Sequence, residues 1–121
     1  MSIEHLASDF AHLLLTGNAV EAAEKYWAED IVRIEPPRWP DCEPNRAEGY
    51  AAAHAKLLEW IDTSDAAEMA IDGPFVTGDV FALFLDMEIA AYGTGKREPF
   101  SEIAIFTVRG GKIVEVRYFY E

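Results

Sequence analysis

EPFSEIAIFTVRGGKIVEVRYFYE, residues 98–121, is the stretch whose reading decides the fold. Two alternating apolar runs flank Arg109-Gly110-Gly111-Lys112, the signature of a tight β-hairpin. Val, Ile, Phe and Tyr suit a pleated, half-buried surface. A closing strand this apolar is expected inside a sheet, so the rest of the chain must be built around it. Side chains alternate faces along a strand. Glu102, Ala104, Phe106 and Val108 therefore share one face, as do Val114, Val116, Tyr118 and Tyr120 on the second arm.

Upstream, Val80 to Tyr92 reads as a long strand, joined to the hairpin by the turn Gly93-Thr94-Gly95-Lys96. One of its faces is Val80, Ala82, Phe84, Asp86, Glu88, Ala90 and Tyr92. The other, Phe81, Leu83, Leu85, Met87, Ile89 and Ala91, is wholly apolar, and periodicity alone places it in the core. Glu68 to Asp72 reads as a further strand, with a turn at Asp72-Gly73-Pro74 and an extension through Val76 and Thr77. The first half is helical. Ile3, Leu6, Phe10, Leu13 and Leu14 form one helical stripe, stopped at Thr16-Gly17-Asn18. A second helix is expected over Ala19 to Ala28 and a third over Tyr50 to Ile61. Between them lie a short strand, Asp30 to Glu35, and a Pro-rich loop from Arg38 to Asn45. Helices first and antiparallel strands afterwards define an α+β domain rather than a parallel βαβ fold.

The bulk properties narrow the function. The 121 residues fit a single domain, and with half of them hydrophobic a packed core is expected. Ten basic against 22 acidic residues give a net charge of −12. Such a chain repels nucleic-acid phosphates and anionic membrane surfaces. No apolar run approaches the roughly 20 residues of a membrane span. Met1-Ser2-Ile3-Glu4-His5 lacks the basic start of a signal peptide, so a cytoplasmic protein is expected. The single cysteine, Cys42, has acidic neighbours that disfavour a thiolate and leave no partner for an intrachain disulfide. His5, His12 and His54 show no metal-binding spacing, and no phosphate loop occurs, so neither metal nor cofactor is expected. Asp86, Glu88 and Glu102 would suit a hard cation only if they converged.

Leu14-Leu15-Thr16-Gly17-Asn18, followed by Tyr26-Trp27-Ala28-Glu29-Asp30-Ile31-Val32, resembles the opening of NTF2-like proteins. Glu35-Pro36, Gly49 before the third helix, Thr94-Gly95-Lys96 and Gly111-Lys112-Ile113-Val114-Glu115 extend the likeness in order along nearly the whole chain. The pattern resembles the SnoaL-like branch, which is also similar to ketosteroid isomerase. The resemblance implies three N-terminal helices packed on a strongly curved antiparallel sheet that encloses a pocket. It also implies a homodimer through the convex face. It does not specify an activity, because one fold hosts many.

Glu35 is the first candidate for chemistry. The resemblance implies a carboxylate base at the end of the first strand, just before a proline. Phe10 and Ala104 fall where ketosteroid isomerase has its two oxyanion donors, and neither donates a hydrogen bond from its side chain. Tyr118 and one of Asp86, Glu88 or Glu102 are expected to assist Glu35 instead. A gapless family match turns Phe84, Asp86 and Glu88 toward the pocket and leaves the apolar face of that strand as the dimer surface. One β-bulge would reverse this. Arg33, two residues before Glu35, shares its face; the two are expected to form a surface ion pair worth little, and if both point inward Arg33 could hold an anionic or enolate-like ligand. Trp27, Trp39, Trp60, Phe84 and Tyr118 supply aromatic wall, with Trp39 at the mouth and His54 near it. Val116 and Tyr120 complete the inward set. Two functions fit these residues. One is a cofactor-free acid–base enzyme of the isomerase, cyclase or lyase type acting on an apolar carbonyl compound. The other is a ligand-binding or accessory dimerisation module that does no catalysis.

Overall fold

A computed structural model describes residues 2–36, 45–91 and 96–120. Helix α1 runs from Ile3 to Leu15 and α2 from Ala19 to Tyr26. Ser2 caps α1, its hydroxyl accepting from the His5 N–H at 3.1 Å. Gly17, at φ +79°, adopts the left-handed backbone that ends α1. Asp9 ties the two helices together, accepting from Lys25 Nζ at 2.7 Å and from the Tyr26 hydroxyl. The second helix ends two residues earlier than the sequence suggests. Trp27 is already extended and opens strand β1, Trp27–Glu35.

The expected Pro-rich loop, Arg38 to Asn45, lies outside the described residues except for Asn45, which opens a short strand the sequence did not suggest, β2, Asn45–Glu48. Helix α3, Tyr50–Thr63, follows. Strand β3, Ser64–Thr77, is continuous where two pieces were expected. Its pairing slips between Ala67 and Ala70 and between Asp72 and Phe75, and bulges of this kind bend a strand without ending it. Strands β4, Val80–Ala91, β5, Arg97–Arg109, and β6, Lys112–Phe119, complete one six-stranded sheet in the order β2-β1-β6-β5-β4-β3. The sheet is mixed: β1 runs parallel to β6, and every other pair is antiparallel. The terminal hairpin forms as expected, with Gly110 and Gly111 both at positive φ, 60° and 76°. One shift in β6 leaves Val114 unpaired and half-buried and brings Ile113 into the core in its place.

Helix α1 packs on β3 and β4, and α3 on β1 and β2, so both cover the concave face. Phe10, Phe81 and Phe106 meet there, Phe81 and Phe106 stacked at 4.6 Å and Phe10 edge-on to both. No helix among the described residues is long and apolar enough to cross a membrane.

Candidate functional site

The strands that carry the site are set by pairing. Along β4 and β5 the register runs unbroken from Val80 opposite Thr107 to Ala90 opposite Arg97. Directly opposed residues share a face. Leu83 thus accompanies Ala104, Leu85 accompanies Glu102, and Met87 accompanies Phe100. These side chains point beneath the helices, where a cavity of about 460 Å³ opens between α1, α3 and the sheet.

Most of the wall is apolar. Phe10 and Leu14 come from α1, Trp27 from β1, Leu57 and Trp60 from α3, Leu85, Met87 and Ile89 from β4, and Phe106 from β5. A polar strip crosses the remaining side. Arg33 and Glu35 project from β1, Glu102 from β5, Tyr118 and Tyr120 from the last strand and the residue beyond it, and Asn45 and Lys56 from the α3 side.

Arg33 and Glu35 form an ion pair at 3.3 Å, with side chains only 12% and 14% exposed, so this is not a surface pair. Glu35 also accepts from the Tyr120 hydroxyl at 3.2 Å and from Asn45 Nδ2 at 3.5 Å. The Arg33 guanidinium lies 4.8 Å over the Tyr118 ring. Burial would lower the Arg33 pKa, but Tyr118 and Glu35 beside it outweigh burial and hold it above its ordinary value. Burial raises the Tyr118 phenol, with Arg33 opposing the shift. Glu102 differs from Glu35. Burial pushes its carboxyl up to about 7; Arg33 pulls against the shift and the Glu35 charge adds to it. Among the described residues no side chain or backbone group hydrogen-bonds the Glu102 carboxyl or the Tyr118 hydroxyl. Neither group is sealed from solvent: among the described residues the sealed, unbonded side-chain polar atoms are Trp27 Nε1 and His54 Nε2.

Nine of the expected site and wall residues therefore converge on the cavity: Phe10, Trp27, Arg33, Glu35, Trp60, Glu102, Ala104, Tyr118 and Tyr120. Val116 faces inward but is fully buried in the core beside the cavity. His54 does not line it. Its ring stacks on Tyr50 at 5.4 Å, and its Nε2 is buried. Trp39, like Cys42 and Tyr92, lies outside the described residues.

Phe84, Asp86 and Glu88 are the correction. All three are exposed on the convex face, where the Ser101 hydroxyl donates to Asp86. The reason is energetic. Turning them inward would expel Phe81, Leu83, Leu85 and Met87, each at most 5% exposed, into water, and burial of a large apolar side chain contributes roughly 1.5–3 kcal/mol. Glu102 is on the other face, so it cannot join Asp86 and Glu88 around a cation. Asn45, Leu57 and Lys56 escaped the sequence reading. A signal existed for Lys56: it stands four residues before Trp60, so the two share a helix face.

Three helices packed with a six-stranded mixed sheet define an NTF2-like α+β fold. The chain belongs to the SnoaL-like domain family, whose model matches residues 1–120. It is similar to a candidate SnoaL-like polyketide cyclase of Mesorhizobium loti, also called a carbohydrate phosphatase. The two are 35% identical over 99% of this chain and 100% of that one, with a TM-score of 0.88. A candidate SnoaL-like polyketide cyclase of Jannaschia sp. shares the fold at 16% identity and a TM-score of 0.78, over 100% of this chain and 89% of that one. An NTF2-like protein of unknown function from Burkholderia pseudomallei does so at 12% identity and a TM-score of 0.81, over 100% and 92%. No curated protein matches the chain.

Proposed function

We propose that this is a cytoplasmic, cofactor-free acid–base enzyme of the isomerase, cyclase or lyase type, acting on a small apolar molecule that bears a carbonyl group. One observation carries the reading: Glu102 faces an apolar cavity with no hydrogen-bond partner among the described residues, and its pKa lies at about 7. A group titrating near neutrality can both take and return a proton. Glu35 has its oxygens engaged by Arg33, Asn45 and Tyr120, so the proton carrier in this reading is Glu102, with Glu35 holding Arg33 in place. The open edge of Arg33 and the Tyr118 hydroxyl are donors for a carbonyl oxygen that gains charge as the adjacent carbon loses its proton. They stand in for the donors that Phe10 and Ala104 cannot supply. The description of the Mesorhizobium loti relative as a polyketide cyclase agrees with such chemistry.

The direct test is hydrogen–deuterium exchange at carbons next to the carbonyl, followed by NMR in D2O, for a panel of bicyclic ketones. The wild-type chain is expected to accelerate exchange of at least one ketone, and Glu102→Gln to lose about 100-fold or more of that rate. Equal rates for wild type and Glu102→Gln across the panel would end the proposal. The same reading includes a homodimer through the convex face, supported by the exposed Phe84, Ile103 and Phe119 in line across β4, β5 and β6.

A further inference from the structure

Lys56 is the second cation of the cavity wall, and the acid–base reading leaves it unused. Its Nζ donates to Asn45 Oδ1 at 3.1 Å, and Asn45 in turn donates to Glu35. Among the described residues no carboxylate pairs with Lys56. Lys25, Arg33, Arg46, Lys96 and Arg97 each hold one; among the described residues Arg109, Lys112 and Arg117 also hold none, but those three are exposed, whereas Lys56 is half-buried at the cavity wall. Glu59 lies three residues further along the same helix and also borders the cavity, but its side chain is exposed and makes no ion pair with Lys56. Glu35 is committed to Arg33. Lys56 is thus a half-buried cation that lines the cavity with Leu57 and Trp60 and whose hydrogen-bond partner is a neutral amide, an arrangement that an anionic ligand would complete.

We infer that the ligand of this cavity is an apolar-bodied carboxylic acid, its carboxylate held by Lys56 at the α3 side and its body against Phe10, Met87 and Phe106. The inference rests on the reading of the cavity as a small-molecule site and adds the ligand's charge and orientation. Near neutral pH Glu102 spends about half its time protonated, which limits the negative charge that an entering carboxylate meets. A charge-assisted hydrogen bond out of bulk water separates an anion from its neutral isostere by about tenfold or more.

The experiment titrates the full chain at pH 6, where Glu102 is mostly protonated and the naphthoate is ionised, with 2-naphthoate and with its neutral isostere 2-acetylnaphthalene, following the fluorescence of Trp27 and Trp60 in the wall. Naphthoate should bind about tenfold more tightly. Lys56→Met should remove that advantage and leave 2-acetylnaphthalene within about twofold, and Lys56→Arg should restore most of it. Equal binding of the two probes, unaltered in Lys56→Met, would overturn the inference and leave the pocket reading standing. Leu14→Trp, which narrows the cavity, should weaken both probes. If it weakens neither, or if neither probe binds the wild type, the small-molecule reading falls together with the inference.

Discussion

Glu102 carries its proton into a range where most carboxyls have lost theirs, and this links folding to pH. Its ordinary value is 4.5 and its folded value about 7. Below the lower value the group is protonated in both states and adds nothing. Between the two, the unfolded chain ionises while the folded chain keeps its proton, so folding takes up a proton and stability falls as pH rises. Above the upper value the loss is complete, at about 3 kcal/mol. Glu102→Gln keeps the shape and removes the ionisation. Urea unfolding should show the variant equal to wild type at pH 4 and more stable by about 2–3 kcal/mol at pH 8. A constant difference across that range would mean that Glu102 is not held neutral by burial. Arg33 faces it from β1 and opposes the shift, Glu35 adds to it, and Tyr118, Tyr120 and Lys56 complete the charged or titratable groups of the strip.

At the scale of the element, parity along β4 decides which chemistry the pocket contains. Leu85 is 3% exposed and Phe84 is 38% exposed, one residue apart. Leu85→Lys should therefore cost about 3–5 kcal/mol, from the lost side chain and the buried charge, whereas Phe84→Lys should cost less than about 1 kcal/mol; urea midpoints separate the two. The reverse ranking would show that the other face is the buried one. The alternation of β4 was legible in the sequence, as were the faces of β5 and the terminal hairpin, because a period of two survives any tertiary arrangement. The choice between the two faces of β4 was not legible from the family likeness. A gapless match counts residues, and one bulge or one altered turn changes parity. The early start of β1 at Trp27 was hidden for a related reason: Trp27 pairs with Ile113, remote in sequence, and the strand Asn45–Glu48 forms only by pairing back on β1.

Across the whole molecule, the convex face shows what the folded chain leaves uncovered. Phe84 pairs with Ile103, and Ile103 with Phe119, giving an apolar row on three adjacent strands, each side chain 38–47% exposed. A second copy of the chain would remove that row from water. Ile103→Lys, placed at its centre, should shift sedimentation from dimer toward monomer while leaving the circular dichroism of the fold unchanged. A wild-type monomer at tens of micromolar would dispose of the dimer. Leu85, on the apolar face that the family likeness turned outward, lies in the core, and its replacement would report on folding rather than on assembly.

The sequence by itself determined the α+β order, the hairpin, the helical stripe of Phe10, and the likeness that implied the cone. It also placed Arg33 and Glu35 on one strand face, and Glu102 with Ala104 on another. All of these follow from local periodicity and turn chemistry, which act over a few residues. Only the tertiary structure decided that Glu102 rather than Asp86 or Glu88 meets Arg33, that Glu35 is already engaged, that His54 turns to Tyr50, and that Lys56 reaches the cavity. Those outcomes depend on register between strands and on which side chain is taken out of water, and both are set by pairing across long separations in the chain.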